Sequence, residues 1–174
     1  MIIVITGPSG SGKTTLRRVL NDDYKIPVLK NVTTRRKRPR ETDGVDYLFV
    51  TAGEFHRMRE QGQLVEWVEY SGSFYGLKRT DNMRGVTVLE TEGAKKLKAM
   101  FPGEVRIVYL QVPEHIRRKR MLDRGDSPDE VDKRVQRDRD RFEKSGIKRQ
   151  ADLVVDNMDM HQAIREIMLL LEEL

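Results

Sequence analysis

Ile2-Ile3-Val4-Ile5-Thr6-Gly7-Pro8-Ser9-Gly10-Ser11-Gly12-Lys13-Thr14 is the stretch on which the fold turns. Ile2–Ile5 are β-branched and apolar without alternation, the pattern of a strand buried on both faces of a parallel sheet. From Lys13 to Leu20 the apolar positions Leu16, Val19 and Leu20 fall at helical spacing. Strand, glycine loop and helix therefore follow one another directly. A chance glycine-rich turn lacks that setting, which is the one the pattern G-x-x-x-x-G-K-[ST] requires. Gly7, Gly12, Lys13 and Thr14 meet the pattern. Glycines let the backbone close around a phosphate with its N–H groups inward. The helix that follows directs the positive end of its dipole at the same anion. Gly7, Pro8, Ser9, Gly10, Ser11 and Gly12 are thus expected to cradle the ATP phosphates, Lys13 to reach the β- and γ-phosphates, and the Thr14 hydroxyl to ligate Mg²⁺.

Outward from the loop, strand and helix signals alternate. Val86–Leu89 reads as a strand before a helix through about Met100. Val105–Val112 reads as another, and Pro113 opens a helix rich in Arg and Lys. Leu153–Val155 is a short strand before a helix carrying Ile164, Ile167, Met168 and Leu171 on one side. This order predicts an α/β chain of the P-loop NTPase fold, a parallel sheet flanked by helices. Residues 31–80 break the alternation. They read as strand-rich, with Asp46–Val50 and Leu64–Tyr70 alternating in type, and are expected to form an inserted substrate lobe. Residues 124–148, a dense charge run after Arg124-Gly125, read as a mobile lid and its helix. One domain is expected over 1–174, with its core in 1–30, 81–123 and 149–174.

Composition narrows the function classes. A chain of 174 residues suits one domain with a real core. It has no cysteine, which excludes disulfides and thiolate metal sites and suits a reducing compartment. No apolar run is longer than Met1–Ile5, so no signal peptide or membrane span is expected and the cytoplasm is the expected setting. Lys and Arg number 33 against 28 Asp and Glu, a formal charge of +5. That excess is open to three readings: an anionic ligand, nucleic acid, or a solvated surface.

Four further motifs stand in order: Thr33-Thr34-Arg35-Arg36-Lys37-Arg38-Pro39-Arg40; Gly44-Val45-Asp46-Tyr47; Leu64-Val65-Glu66-Trp67; and Tyr75-Gly76. With the phosphate loop they resemble the guanylate kinase family of P-loop nucleoside monophosphate kinases, closely over residues 1–93 and less closely afterwards. The resemblance implies that Arg35, Arg38, Tyr47 and Tyr75 grip the acceptor monophosphate and that Glu66 reads guanine. The chemistry agrees. Planar arginine forks bind phosphate oxygens bidentately. A carboxylate accepts from N1–H and the 2-amino group of guanine, which adenine cannot match.

The chain also departs from the family. Leu77 stands where the family has Ser or Thr, and Asn31 where it favours Ser. Val88 and Glu90 replace two aspartates. Glu90 has two readings, an acceptor or Mg²⁺–water contact and a strand-end surface acid. By the same resemblance Arg120, Arg124 and Arg134 belong to the lid, with Arg124 and Arg134 the best matches, and Asn157 lies beside the ATP adenine. Which of Arg137, Arg139 and Arg141 faces inward stays open.

The resemblance implies in-line transfer from ATP to GMP or dGMP, giving GDP or dGDP, with Lys13, Arg38, Arg124 and Arg134 carrying the charge. Small nucleotides are the expected partners, with no membrane; nucleic acid is the disfavoured partner, and the oligomeric state stays open. Three rivals remain: a kinase of this fold for another nucleotide or a sugar phosphate, a non-catalytic guanylate-kinase-like binding module, and a nucleic-acid binder using the basic loop.

Overall fold

The computed structural model describes residues 1–38 and 41–172; Pro39 and Arg40 of the basic run lie outside the described residues. The core sheet holds β1 (Ile2–Thr6), β6 (Gly85–Val88), β7 (Val105–Gln111) and β8 (Leu153–Asp156) in the order β6-β1-β7-β8. Every pairing in it is parallel. The period-2 geometry of a strand divides β1 between two cores. Ile2 and Val4 pack with Leu97 of α3 (Thr91–Met100) and with Ile147 of α6 (Ile147–Gln150). Ile3 and Ile5 pack with Leu16 and Leu20 of α1 (Lys13–Asp22) and with Ile164 and Ile167 of α7 (Met160–Glu172). Both faces are covered, as the uninterrupted apolar run of β1 requires.

A second sheet carries β2 (Asn31–Thr33), β3 (Leu48–Phe49), β4 (Leu64–Tyr70) and β5 (Ser73–Lys78) in the order β3-β2-β5-β4. β5 is antiparallel to both neighbours. This region is less strand-rich than expected. The strand expected over Asp46–Val50 shrinks to Leu48–Phe49, because buried Asp46 serves as a hydrogen-bond hub. Helix α2 (Ala52–Glu60) was not foreseen. It buries only Phe55, so it shows little apolar periodicity. Its signal is the capping box of Thr51 and Glu54. Elsewhere boundaries shift slightly: Leu89 falls outside β6, Val112 outside β7, and Asp156 joins β8.

The charge run after α4 (Glu114–Asp123) forms α5 (Pro128–Ser145), 18 residues long. Ser127 and Glu130 cap its start reciprocally, and Gly146 ends it in the left-handed region at φ 63°.

Candidate active site

The phosphate loop spans the gap between β1 and α1. Gly7 has φ 146° and Gly12 φ 93°. A Cβ at Gly7 would stand 2.7 Å from the Leu110 carbonyl oxygen, and one at Gly12 2.5 Å from Asn157 Nδ2. Both positions need glycine for its backbone and for its size. Lys13 Nζ donates to the carbonyls of Gly7 at 2.6 Å and Pro8 at 2.9 Å, which folds the lysine over the loop. Burial pushes its ammonium below the usual lysine range, against the pull of Glu90 and Asp138. Thr14 is exposed on the same cavity wall.

Two side chains brace the loop from behind. Asn157 is buried and donates to the Ser11 carbonyl at 2.7 Å. Arg117 donates to the carbonyls of Ser9 and Val112 at 3.3 and 3.2 Å. Asn157 thus supports the loop and does not line the cavity; Pro8 and Ser11 likewise lie off its wall. The other expected site residues line one cavity of about 580 Å³ between the core sheet, the second sheet and α5.

Opposite the loop, β4 carries Glu66, β5 Tyr75 and β2 Asn31, while Arg35, Arg38 and Tyr47 come from the connection between β2 and β3. Asn31, Leu77 and Glu66 are adjacent in register across β2, β5 and β4. Glu66 is 5% exposed, and its Oε2 has no hydrogen-bond partner among the described residues. Burial raises its carboxyl to about 7, with Lys96 opposing the shift. Asn31 is already engaged: it accepts from Thr87 Oγ1 at 2.8 Å and donates to the Val88 carbonyl at 3.0 Å. Leu77 is fully buried in the core cluster under β1, so its side chain is a packing element.

Arg35 holds Glu41 in a fork, at 3.0 Å from Nη1 to Oε2 and 2.8 Å from Nη2 to Oε1. Arg38 stands 3.7 Å from the same carboxylate. Arg35 also lies 5.5 Å from the ring centroid of Tyr47, which packs edge-on to Tyr75. Burial pushes the Tyr47 phenol up to about 12. Arg38 is pushed down to about 10 by burial first, then by Arg35, Arg134 and Arg124. These cations crowd one volume and repel, which favours an anion between them.

In the region expected to form the lid, Asp126 gathers both expected arginines, Arg124 at 2.5 Å and Arg134 at 3.6 Å. The run left open by sequence divides by helical phase. Arg137 contacts Ser71 Oγ and Tyr70, and Arg141 bonds Glu90 at 2.5 Å and Thr91 at 3.0 Å over the Tyr70 ring. Arg139 turns away to Glu114 at 2.9 Å. Asp138 Oδ2 accepts from the Ser9 backbone N–H. Sequence reasoning missed Glu41, Tyr70, Asp138 and Arg117. Glu41 had a signal, an acid set within a basic run; the others depend on contacts distant in sequence.

Comparison with known proteins points to one family. The Guanylate kinase family model matches residues 1–174. A guanylate kinase of Brucella melitensis biotype 1 is 33% identical over 178 residues, 96% of this chain and 80% of that protein. One of Streptococcus agalactiae serotype III is 33% identical over 183 residues, 99% of this chain and 86% of that protein. The crystal structure of guanylate kinase from Anaplasma phagocytophilum superposes with a TM-score of 0.75 at 25% identity, over 99% of this chain and 85% of that one. The family model spans the whole chain and both relatives are 33% identical over nearly all of it, so the chain belongs to the guanylate kinase family of nucleoside monophosphate kinases.

Proposed function

We propose that this chain moves the γ-phosphoryl group of ATP to GMP or dGMP, giving ADP and the guanine nucleoside diphosphate. The observation that carries the reading is the convergence of Lys13, Arg35, Arg38, Arg124 and Arg134 on the one cavity that also holds Glu66. Cations at both phosphate positions and a carboxyl at the far end match two phosphate groups meeting beside a base.

In this reading Arg35, Arg38, Tyr47 and Tyr75 hold the acceptor phosphate. Glu66, once ionised, accepts from N1–H and the 2-amino group of guanine. A phosphate oxygen is already a nucleophile, so no side chain needs to act as a strong base. Lys13, Arg38, Arg124 and Arg134 neutralise the charge that spreads over the equatorial oxygens in transit. Residues 31–80 form the acceptor lobe and 124–148 the lid, whose closure keeps water from the phosphoryl group.

The residues suit Mg²⁺. Among the described residues no group of three His, Cys, Asp or Glu side chains is placed to hold a metal, whereas the Thr14 hydroxyl stands open beside Lys13. Mg²⁺ prefers few protein ligands, with phosphate oxygens and water completing its shell. When bound it would supply charge neutralisation on the nucleotide's phosphates. No helix among the described residues is long and apolar enough to cross a membrane; use of ATP and the lack of cysteine suit the cytoplasm.

A coupled assay of ADP formation with ATP, Mg²⁺ and GMP, dGMP, AMP, CMP, UMP or dTMP tests the reading. Turnover confined to GMP and dGMP supports it. Turnover with another acceptor overturns the role of Glu66 and favours a kinase of this fold for another nucleotide.

A further inference from the structure

Gly93 is the third residue of α3, inside a regular helix, and is not among the glycines of positive φ. Backbone freedom therefore does not explain it, and glycine there weakens the helix relative to alanine. Space does explain it. A Cβ at this position would lie 2.7 Å from Glu66 Oε2, 3.1 Å from Cδ and 3.3 Å from Oε1. No real Cβ sits at the first of these distances, so something would have to give. The atom in the way is the far end of a flexible side chain, and the helix around Gly93 is packed through Ala94 and Leu97. The carboxyl would move, and the helix would stay.

From this contact we infer that Gly93 is a positioning residue for acceptor recognition: its bare Cα leaves the berth that sets the Glu66 carboxyl at the cavity wall. The inference rests on the reading of Glu66 as the group that meets the acceptor base. Two observations make the berth consequential. Glu66 Oε2 has no hydrogen-bond partner among the described residues, so no bond within the protein fixes that oxygen and steric fit must do so. The neighbouring Leu77 has an apolar side chain, and Asn31 is engaged with Thr87 and Val88, so Glu66 bears most of the polar recognition on this wall. A displaced carboxylate meets its donors at a poorer distance and angle, and such bonds weaken steeply.

The test is a double-mutant cycle over Gly93→Ala and Glu66→Ala, read by steady-state kinetics and thermal unfolding. Gly93→Ala in the parent should raise KM for GMP about tenfold while kcat at saturating GMP and KM for ATP stay within about twofold. Its Tm should not rise. With Glu66→Ala the contact is gone. The same alanine should then raise Tm, as alanine does in a helix, and leave the already high KM for GMP unchanged. A third background, Glu66→Asp, draws the carboxyl back by one methylene and should reduce the Gly93→Ala penalty to within about twofold; it also gives a functional reading if Gly93→Ala alone fails to fold. An unchanged KM for Gly93→Ala, or an equal KM penalty with and without the Glu66 carboxyl, overturns the inference. If the parent turns over a different monophosphate, the guanine reading falls, and the same cycle on that acceptor's KM decides the role of Gly93.

Discussion

Asp138 accepts a hydrogen bond from the backbone N–H of Ser9 across 2.5 Å, joining residues 129 apart in the chain. The N–H belongs to the loop whose amides are arranged for a phosphate, and a carboxylate is a weaker anion of similar geometry. Asp138 is 4% exposed and lines the same cavity as Lys13. On the proposed reading, ATP would have to displace this carboxylate or bear its repulsion. Asp138→Asn removes the repulsion and leaves only a weaker, neutral acceptor to displace. The dissociation constant for ATP, measured by calorimetry, should fall by about tenfold. An unchanged or weaker affinity would show that the contact supports the loop and does not compete for it.

Glu66 predicts a pH dependence with a definite sign. Its carboxyl is raised from 4.5 to about 7 by burial. Because the folded value is raised, its contribution to stability is complete below pH 4.5 and is lost as pH rises through about 7. The loss amounts to roughly 3 kcal/mol. Glu66→Gln removes it, so the variant should gain stability over the parent in urea at about pH 8 and lose that advantage at about pH 5. On the proposed role of Glu66 the ionised form meets the acceptor base, so KM for GMP should rise as pH falls below about 7 in the parent.

Arg17 of α1 is 4% exposed and spans to the second sheet's connecting loop. It donates to the carbonyl of Asp46 at 2.9 Å and approaches that residue's carboxylate at 3.4 Å. Asp46 is itself 2% exposed and also accepts from the Thr42 N–H at 2.9 Å. Removing one member of a buried pair strands the other. Arg17→Met keeps the apolar stem and should cost about 3 kcal/mol in denaturant unfolding, softened where Arg18 at 3.6 Å takes over. A loss under about 1 kcal/mol would show that Arg18 suffices.

The transferring charge gives the plainest kinetic expectation. Lys13→Ala, Arg124→Ala and Arg134→Ala should each lower kcat by about a hundredfold or more with little change in Tm, since none is a core residue. A loss seen only in KM for ATP would assign that side chain to ground-state binding.

The donor half of the site was legible because its geometry is local. Eight consecutive residues hold the turn, the amides, the lysine and the hydroxyl, and the strand and helix that frame them are written in apolar spacing. The acceptor residues emerged through four spaced motifs, and the cavity brings them together. What stayed hidden was tertiary. The resemblance sets Asn157 beside the ATP adenine, and only folding shows it behind Ser11. Asp138 sits in a charge run where every acid looks alike until the helix phase selects the one that meets Ser9. α2 hid because a helix that buries one side chain has almost no periodicity; the Thr51–Glu54 capping box was its one clear mark. Gly93 carried a readable sign too, a glycine inside a helix with no turn to justify it.

Helix α5 touches the donor loop through Asp138 and the acceptor wall through Arg141 on Glu90 and Arg137 on Ser71. Eighteen helical residues make a rod of about 27 Å, capped at both ends and without an internal glycine at which to bend. A rod cannot release one contact while keeping the other in register. On the proposed reading a helix that touches both sites would couple them, and linkage would make the factor the same in both directions: whatever ATP does to GMP affinity, GMP does to ATP affinity. The two substrates would then be thermodynamic effectors of each other through a single piece of secondary structure.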